Sequence, residues 1–300
     1  MGFVRPKSVK WPQKTMKTAK WAHSEPTIWK FLLGPAGYTR FFRVFQQALR
    51  VLGCSGGIGG RRRTTTFLID DDILIDGGTG LSDLSSDELA RIDHVFVTHS
   101  HLDHTVCIPL MIDSVARYRD KPIRLYATEA VLRILRQHMF NWLLWPDFSC
   151  IPSEKKPFVT YHTVAVGETV TIGDRRITPV PARHVVPAVG YHLDSGASSL
   201  VFTGDTTCND ALWDTINQID NLDHLIIETA FPDEQKDICI LSKHLCPDLL
   251  ARELEKLTRS ATIYLTHLKP SEEDMIVAEV WQCAGKFMPQ VLQRNQVIEF

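Results

Sequence analysis

No run of apolar residues in this sequence approaches the roughly 18 that a bilayer-spanning helix needs, and the N-terminus lacks the continuous apolar stretch of a secretory signal. Paired cysteines are missing as well. Cys54, Cys107, Cys150, Cys208, Cys239, Cys246 and Cys283 are odd in number, scattered, and form no C-x-x-C. This pattern argues against a disulfide framework and fits a reducing compartment, so the chain is read as cytoplasmic. A large charge imbalance is also absent: the formal net charge is -2, which argues against a protein that coats nucleic acid or anionic membrane through bulk charge.

What is present is enough to build one large core. The 300 residues are 44% hydrophobic, and nothing suggests disorder over most of the length. The charge is unevenly spread, however. Residues 1–50 hold ten Lys or Arg and a single acid, Glu25, so the remainder is net acidic. Residues 1–47, with Trp11, Trp21 and Trp29 among scattered lysines and prolines, show no clean period and are expected to form a poorly ordered basic extension. Residues 48–300 are expected to form a single domain.

The spacing of apolar residues places strands over 49–53, 66–70 and 72–76, the last two as a hairpin turning on Asp70-Asp71-Asp72. Those aspartates read as a solvated turn rather than a calcium site. Strand 95–98, helix 104–117, strand 123–127 and helix 128–140 follow. A second strand-rich block (169–172, 175–180, 189–194, 199–203) gives way to helix 209–218, strand 223–228, helix 246–258, strand 262–266 and helix 272–284. Two such half-chains predict an α/β fold in which two sheets pack face to face with helices outside. Functional loops should gather along one edge, where strands end.

Within this pattern, Thr98-His99-Ser100-His101-Leu102-Asp103-His104 follows the apolar run Val95-Phe96-Val97. His99 and His101, two apart at a strand end, can point the same way, while Asp103 and His104 turn into the next helix. One loop therefore offers two divergent ligand sets. Imidazoles with a carboxylate suit Zn(II) best, with Mn(II) or Fe(II) admissible. A metal pair needs further donors, and three stand at later strand ends: His184, Asp205 in FTGDT, and His267 in YLTH.

These residues, in this order, resemble the metallo-beta-lactamase superfamily, whose αββα four-layer sandwich binds two divalent metals. The resemblance implies that His99, His101 and His184 bind one metal, that Asp103, His104 and His267 bind the other, and that Asp205 bridges them. Asp76, in LIDGG, matches the superfamily's early Asp and would support the His-rich loop from behind; an Asx turn before two glycines is its alternative role. The implied chemistry is two-metal hydrolysis, which activates water near neutral pH and stabilises both entering and leaving oxygens. It names a mechanism before a substrate.

Other segments narrow the resemblance. RHVVPAVGYHL, LIIETAFPDE with Glu228, and LSKHLCP with His244 are similar to the phosphodiesterase branch that holds tRNase Z and the class II cyclic-nucleotide phosphodiesterases. There the His protonates the leaving oxygen and the Glu orients it, so His244, Glu228 and Asp103 are the implied catalytic residues. The arrangement is chemically sensible, because a carboxylate neighbour keeps a histidine charged near neutral pH. tRNase Z carries its RNA-gripping arm between the third His motif and the Asp, whereas here His184 and Asp205 are 21 positions apart. Its Pro and Arg-Asn after the first strand are replaced by CSGGIGGRRRTTTF. The class II enzymes match better over residues 49–300, through LGCSGGIGG, THSHLDH, FTGDT, ETAFP, SKHLCP and THLKP. Thr105 and Cys107 depart from that family's usual aliphatic and small residues.

The expected function is hydrolysis of a 3',5'-cyclic nucleotide (cAMP or cGMP) to the 5'-monophosphate, with Lys243 or Arg183 offsetting phosphoryl charge. A tRNase Z-like RNA endonuclease and a non-catalytic nucleotide-binding protein are the alternatives. The expected partner is the small substrate, with neither nucleic acid nor membrane, and a homodimer is admissible. Gly56 to Gly60 precede a hairpin rather than a helix and lack Gly-Lys-Ser/Thr, so a P-loop is excluded. A phosphate contact by that loop and the following Arg61 to Arg63, or a tight turn with a solvated basic face, both stay open. Trp142, Trp145 and Phe148 read as core packing before pocket wall. The remaining histidines, His23, His94, His138, His162, His192 and His224, read as structural or surface.

Overall fold

The structure, a computed structural model, describes residues 47–300 and the paired two-residue strands Trp29–Lys30 and Phe42–Arg43. Apart from those two strands, the expected basic extension over 1–47 lies, up to residue 46, outside the described residues. From there β1 (Ala48–Gly53), β2 (Thr66–Ile69) and β3 (Ile73–Ile75) form an antiparallel meander. A short helix, α1 (Ser86–Arg91), is closed by a capping box between Ser85 and Glu88. The strand β4 (His94–Phe96) then joins β3 in parallel. After the histidine loop come α2 (Leu102–Thr105), α3 (Cys107–Val115), β5 (Ile123–Ala127), α4 (Glu129–His138) and β6 (Val159–Thr163), with both strands added in parallel.

The second half repeats the plan. An antiparallel set, β7 (Val170–Ile172), β8 (Arg175–Pro181), β9 (Val189–Asp194) and β10 (Ser199–Phe202), comes first. It is followed by α5 (Asp210–Ile216), β11 (Leu222–Glu228), α6 (Lys236–Ser242), α7 (Pro247–Leu254), β12 (Thr262–Thr266), α8 (Glu273–Ala284) and β13 (Gln290–Val291), whose strands add in parallel. The last strand, β14 (Val297–Glu299), crosses back to pair with β1. Each sheet has seven strands, in the orders β6-β5-β4-β3-β2-β1-β14 and β7-β8-β9-β10-β11-β12-β13.

Alternation along the strands produces three apolar layers, hence four structural ones. Leu68, Leu74, Val95 and Leu125 point outward against Ile108 and Ile112 of α3 and Val131 and Leu135 of α4. Their strand neighbours Phe67, Ile75 and Phe96 face the other sheet and meet Tyr191, Phe202 and Ile226. On the far side Val201, Leu225 and Leu265 pack under Leu212, Leu250, Ile276 and Val280 of the second helical layer. Strands buried on both faces must be apolar at nearly every position, as TFLI, ILI and SLVF are. This is the expected αββα sandwich. Phe67 meets Phe202 edge-on at 4.9 Å across the sheet interface. Phe67→Ala is therefore expected to cost about 3–5 kcal/mol, read as a lower denaturant midpoint at unchanged slope.

The structure departs from expectation where non-local contacts decide. The expected helix 104–117 starts inside the histidine motif, at Leu102, and is interrupted at Val106. The Gly77 backbone causes the break: its N–H donates to the His104 carbonyl (2.6 Å), and its carbonyl accepts the Cys107 N–H (2.9 Å), diverting the helical ladder. Only a glycine serves at Gly78 beside it, since a Cβ there would lie 2.2 Å from the Asp103 carbonyl oxygen. The Asp70–Asp72 turn is less solvated than expected, because Asp70 and Asp72 both bind the Arg175 guanidinium of the other sheet. The helix expected over 246–258 closes at Leu254. Residues in α1, α6, β6, β13 and β14 were not expected in any element. Among the described residues no helix is long and apolar enough to cross a membrane.

Candidate metal centre

The strand ends expected to carry function meet at one edge of the sandwich. Side chains expected to bind metal stand just beyond β4 (His99), β8 (His184), β10 (Asp205) and β12 (His267), and Asp76 follows β3. Their donor atoms fall into two sets, each within 4.8 Å: His99, His101 and His184; and Asp103, His104, Asp205 and His267. The seven residues expected to bind metal are thus brought together, in the division the resemblance implied. Asp205 sits between the sets, 3.6 Å from His99 Nε2, 3.3 Å from His104 Nε2 and 3.4 Å from His267 Nδ1. Asp103 lies 3.9 Å from His104 Nε2 and 3.8 Å from His267 Nε2.

The donor set fits divalent cations. His99 Nε2, His104 Nε2 and His267 Nδ1 are buried without any hydrogen-bond partner, an arrangement that leaves three lone pairs aimed at common points and is costly unless something accepts them. His184 Nδ1 donates to the Lys243 carbonyl (3.1 Å), which frees Nε2 as a lone pair 3.2 Å from His101 Nδ1. Burial holds His184 and His267 in the unprotonated form that ligates metal, pushed down to about 4 and about 3, whereas His104 is raised, because Asp205 and Asp76 outweigh its desolvation. Burial opposes the charge on Asp205, but the surrounding His267, His104 and His99 outweigh it and keep its carboxyl well below the usual range.

Behind the ligands stands Asp76, whose backbone takes a positive φ of 59°. It is fully buried, and it accepts hydrogen bonds from the Thr98 N–H (2.8 Å), the Thr98 hydroxyl (2.8 Å) and His104 Nδ1 (2.7 Å). Thr98 in turn faces His99 Nδ1 at 3.0 Å. One carboxylate therefore sets the tautomer of His104 directly and the orientation of His99 through a hydroxyl, so support of the loop, not an Asx turn, is its role here. Asp76→Ala is expected to weaken metal binding about 10–100-fold, measured by competition with a chromophoric chelator.

His267 is held in the left-handed region (φ 64°) by the glycine loop. Its N–H donates to the Cys54 carbonyl (2.8 Å), and Gly56 lies so close that a Cβ would sit 2.3 Å from the His267 carbonyl oxygen. Gly56 thus packs on the last ligand, whereas Gly59 and Gly60 form an open turn with positive φ. Of the arginines that follow, Arg62 pairs with Glu273 and Arg63 with Asp83.

Beside the metal ligands, His244 Nδ1 donates to Glu228 Oε1 at 2.7 Å. Glu228 is fully buried at the end of β11 and is further held by the N–H groups of Thr206 (2.9 Å) and Leu245 (3.2 Å). Burial raises the Glu228 carboxyl, and His244 is raised as well, because the charge and hydrogen bond of Glu228 outweigh its own desolvation. The His244 ring lies 4.8 Å from that of His184 and 5.2 Å from that of His267, and it reaches ligand distance of His184 and Asp205.

Lys243 does not stand free for a phosphoryl oxygen as expected. Its ammonium donates to the His184 carbonyl (3.1 Å), so with the reciprocal His184 contact it clamps the ligand loop. Lys269, in THLKP, is the nearby cation that sequence reasoning passed over: Nζ donates to the Gly56 carbonyl (2.8 Å) and lies 5.5 Å from the Phe231 ring, which in turn is 5.8 Å from His244. Its signal was its place two residues after His267. Thr105, one of the departures from the family pattern, donates its hydroxyl to the His101 carbonyl (2.9 Å) and so belongs to the ligand loop itself. Phe148 and Trp145 pack in the outer core as expected, whereas Trp142 is exposed.

Comparison with known proteins agrees with the fold. A probable 3',5'-cyclic-nucleotide phosphodiesterase of Yersinia pestis is 27% identical over 206 residues, covering 60% of this chain and 58% of that protein. Endoribonuclease ysh-1 of Neurospora crassa is 28% identical over 136 residues, covering 43% of this chain and 16% of that protein. The chain therefore spans less than two thirds of either relative. The crystal structure of unliganded yeast PDE1 superimposes with a TM-score of 0.72 at 18% identity, over 85% of this chain and 99% of that one, a likeness of fold alone. The model of the beta-lactamase superfamily domain matches residues 72–268, from the turn before β3 to just beyond the last ligand. With well over half of its length and every metal-site side chain inside that match, the chain belongs to the beta-lactamase superfamily.

Proposed function

We propose that this chain hydrolyses a small phosphodiester, a 3',5'-cyclic nucleotide, to the 5'-monophosphate, with His99, His101 and His184 holding one divalent cation, Asp103, His104 and His267 the other, and Asp205 shared. The nitrogen-rich donor set suits Zn(II), with Mn(II) or Fe(II) admissible. Bound there, the cations supply a water activated near neutral pH and offset charge on the phosphoryl oxygens.

The observation that carries the reading is the His244–Glu228 pair. A metal pair alone serves many hydrolyses, but an imidazolium beside the ligands is what departure of an alkoxide requires. Glu228 orients the ring through Nδ1, leaving Nε2 to deliver its proton to the 3' oxygen. The name of the Yersinia pestis relative points to the same substrate class.

A second reading, RNA cleavage, is favoured by the Neurospora crassa endoribonuclease. Against it, β9 and β10 fill the interval between His184 and Asp205 and are joined by a turn at Ser195–Ser198, so no arm for gripping RNA extends from that position. Turnover of cyclic AMP, cyclic GMP, 2',3'-cyclic AMP, an aryl phosphodiester and a tRNA precursor, measured side by side, tests the assignment. Faster turnover of 3',5'-cyclic nucleotides than of the other substrates supports it. Cleavage of the precursor with indifference to cyclic nucleotides overturns it.

A further inference from the structure

A cavity of about 770 Å³ opens beside the metal centre without any of the seven metal-site side chains lining it. Its inner wall is the backbone that holds His267: Cys54, Ser55 and Leu268. Val277, Ala278, Val291 and Leu292, from α8, β13 and the segment after it, give it an apolar floor, and arginines give it a rim. The volume lies within the range typical of small-molecule sites, roughly 300–1,000 Å³.

The charge on that rim is unbalanced in one place. Arg62 is neutralised by Glu273. Arg63 and Arg294, however, share the single carboxylate of Asp83, at 3.2 and 2.8 Å. The Arg294 Nε is buried without an acceptor, although one of its terminal nitrogens reaches the Arg61 carbonyl at 3.4 Å. The Arg61 guanidinium has no ion-pair partner among the described residues. Asp274 is the remaining acid on the lining, at the start of α8.

We infer that this cavity binds a phosphate monoester carried on an apolar or planar body, with Arg61 and Arg294 taking the phosphate and the Val277 and Leu292 floor taking the body. A phosphate monoester carries between one and two negative charges near neutral pH and offers acceptors in the geometry a guanidinium fork matches. A bare anion would leave the apolar floor wet, and an uncharged ring would leave Arg61 without a counter-ion, so the site selects a ligand with both parts.

Occupancy is coupled to the metal centre through shared backbone. The Cys54 carbonyl accepts both the His267 N–H (2.8 Å) and the Thr266 hydroxyl (3.1 Å), and the Gly56 N–H donates to the Leu268 carbonyl (3.0 Å). A ligand pressed on Cys54, Ser55 and Leu268 bears on the strand end that presents His267. Linkage then requires that it shift metal affinity by the same factor by which metal shifts its own. The inference does not depend on the cyclic-nucleotide reading.

The test is calorimetric titration of the metal-loaded protein with AMP, adenosine and inorganic phosphate as probes, on the parent and on two classes of variant. AMP is expected to bind at least roughly tenfold more tightly than either fragment. Arg61→Ala with Arg294→Ala should weaken it by roughly tenfold or more, the loss that removing charged hydrogen bonds produces, and separately Ala278→Trp, which fills the floor, should weaken it by occupying the space of the apolar body. His99→Ala with His184→Ala should leave AMP bound at the arginines, its affinity shifted only by the factor through which AMP and metal are linked. Because Ala278→Trp could disturb α8, thermal melting is compared first, and the arginine pair decides if that variant is destabilised. AMP binding that disappears with the histidines and survives the arginine substitutions would assign it to the metal centre and overturn the proposal, leaving the phosphodiesterase reading intact. Undetectable AMP binding in the parent protein overturns it as well.

Discussion

Replacing His244 with alanine is expected to lower kcat for a phosphodiester about 10²–10⁴-fold, the span typical of losing a general acid, while metal content stays as in the parent. Its ring lies beside those of His184 and His267, and its one hydrogen bond runs to Glu228. Although a nitrogen lies within 4.8 Å of His184 and Asp205 donor atoms, it belongs to neither expected ligand set. Removing it should therefore leave the donor atoms of His99, His101 and His184 where they are. The defect should shrink for a substrate with a good leaving group such as nitrophenolate, which departs without a proton. Glu228→Gln should fall in the same direction by a smaller factor, because an amide oxygen can still orient Nδ1 but no longer supports the charge on the ring. Unchanged turnover in the His244 variant would remove that residue from the mechanism.

The second large effect is expected at Asp205. It is the one carboxylate within 3.6 Å of His99, His104 and His267 together, so Asp205→Ala removes a donor from both ligand sets at once. Metal per chain should fall below one. Turnover should drop by more than the roughly 10²-fold that losing a supporting residue such as Asp76 costs. Asp103→Ala provides the contrast, since Asp103 belongs to one set only; it should lose the second cation and keep the first. Elemental analysis of the two purified variants side by side decides the matter, and two metals retained in Asp205→Ala would refute its placement between the sets.

Much of this was readable before any coordinates. Strands β9 and β12 fall at the residues expected of them, 189–194 and 262–266, because long apolar alternation survives whatever surrounds it. Elements made by tertiary contact were not readable. Helix α6 has little periodicity to announce it, burying one residue, Cys239, and β14 is three residues whose partner β1 lies at the other end of the domain. The break at Val106 comes from Gly77, nearly thirty positions earlier, entering the helical ladder, a competition no local window contains.

At the site, residue types and strand-end positions were enough to pick out seven side chains and the His244–Glu228 pair that the fold brings together, because liganding and proton transfer demand particular atoms and such residues are rare at buried positions. What those positions could not convey is direction. Lys243 stands one residue before His244 and Lys269 two residues after His267 in the sequence. The left-handed turn at Lys243 (φ 54°) places its ammonium on the His184 carbonyl, and the approach of the Cys54–Gly56 loop places that of Lys269 on Gly56, beside Phe231. By itself the sequence determined the two-sheet plan and which His and Asp side chains stand at the strand ends, since apolar period and residue type are local properties. Only the tertiary structure decided that Asp76 carries the histidine loop, that Gly56 backs the last ligand, and that four arginines meet beside it, because each depends on which distant backbone segments pack against one another.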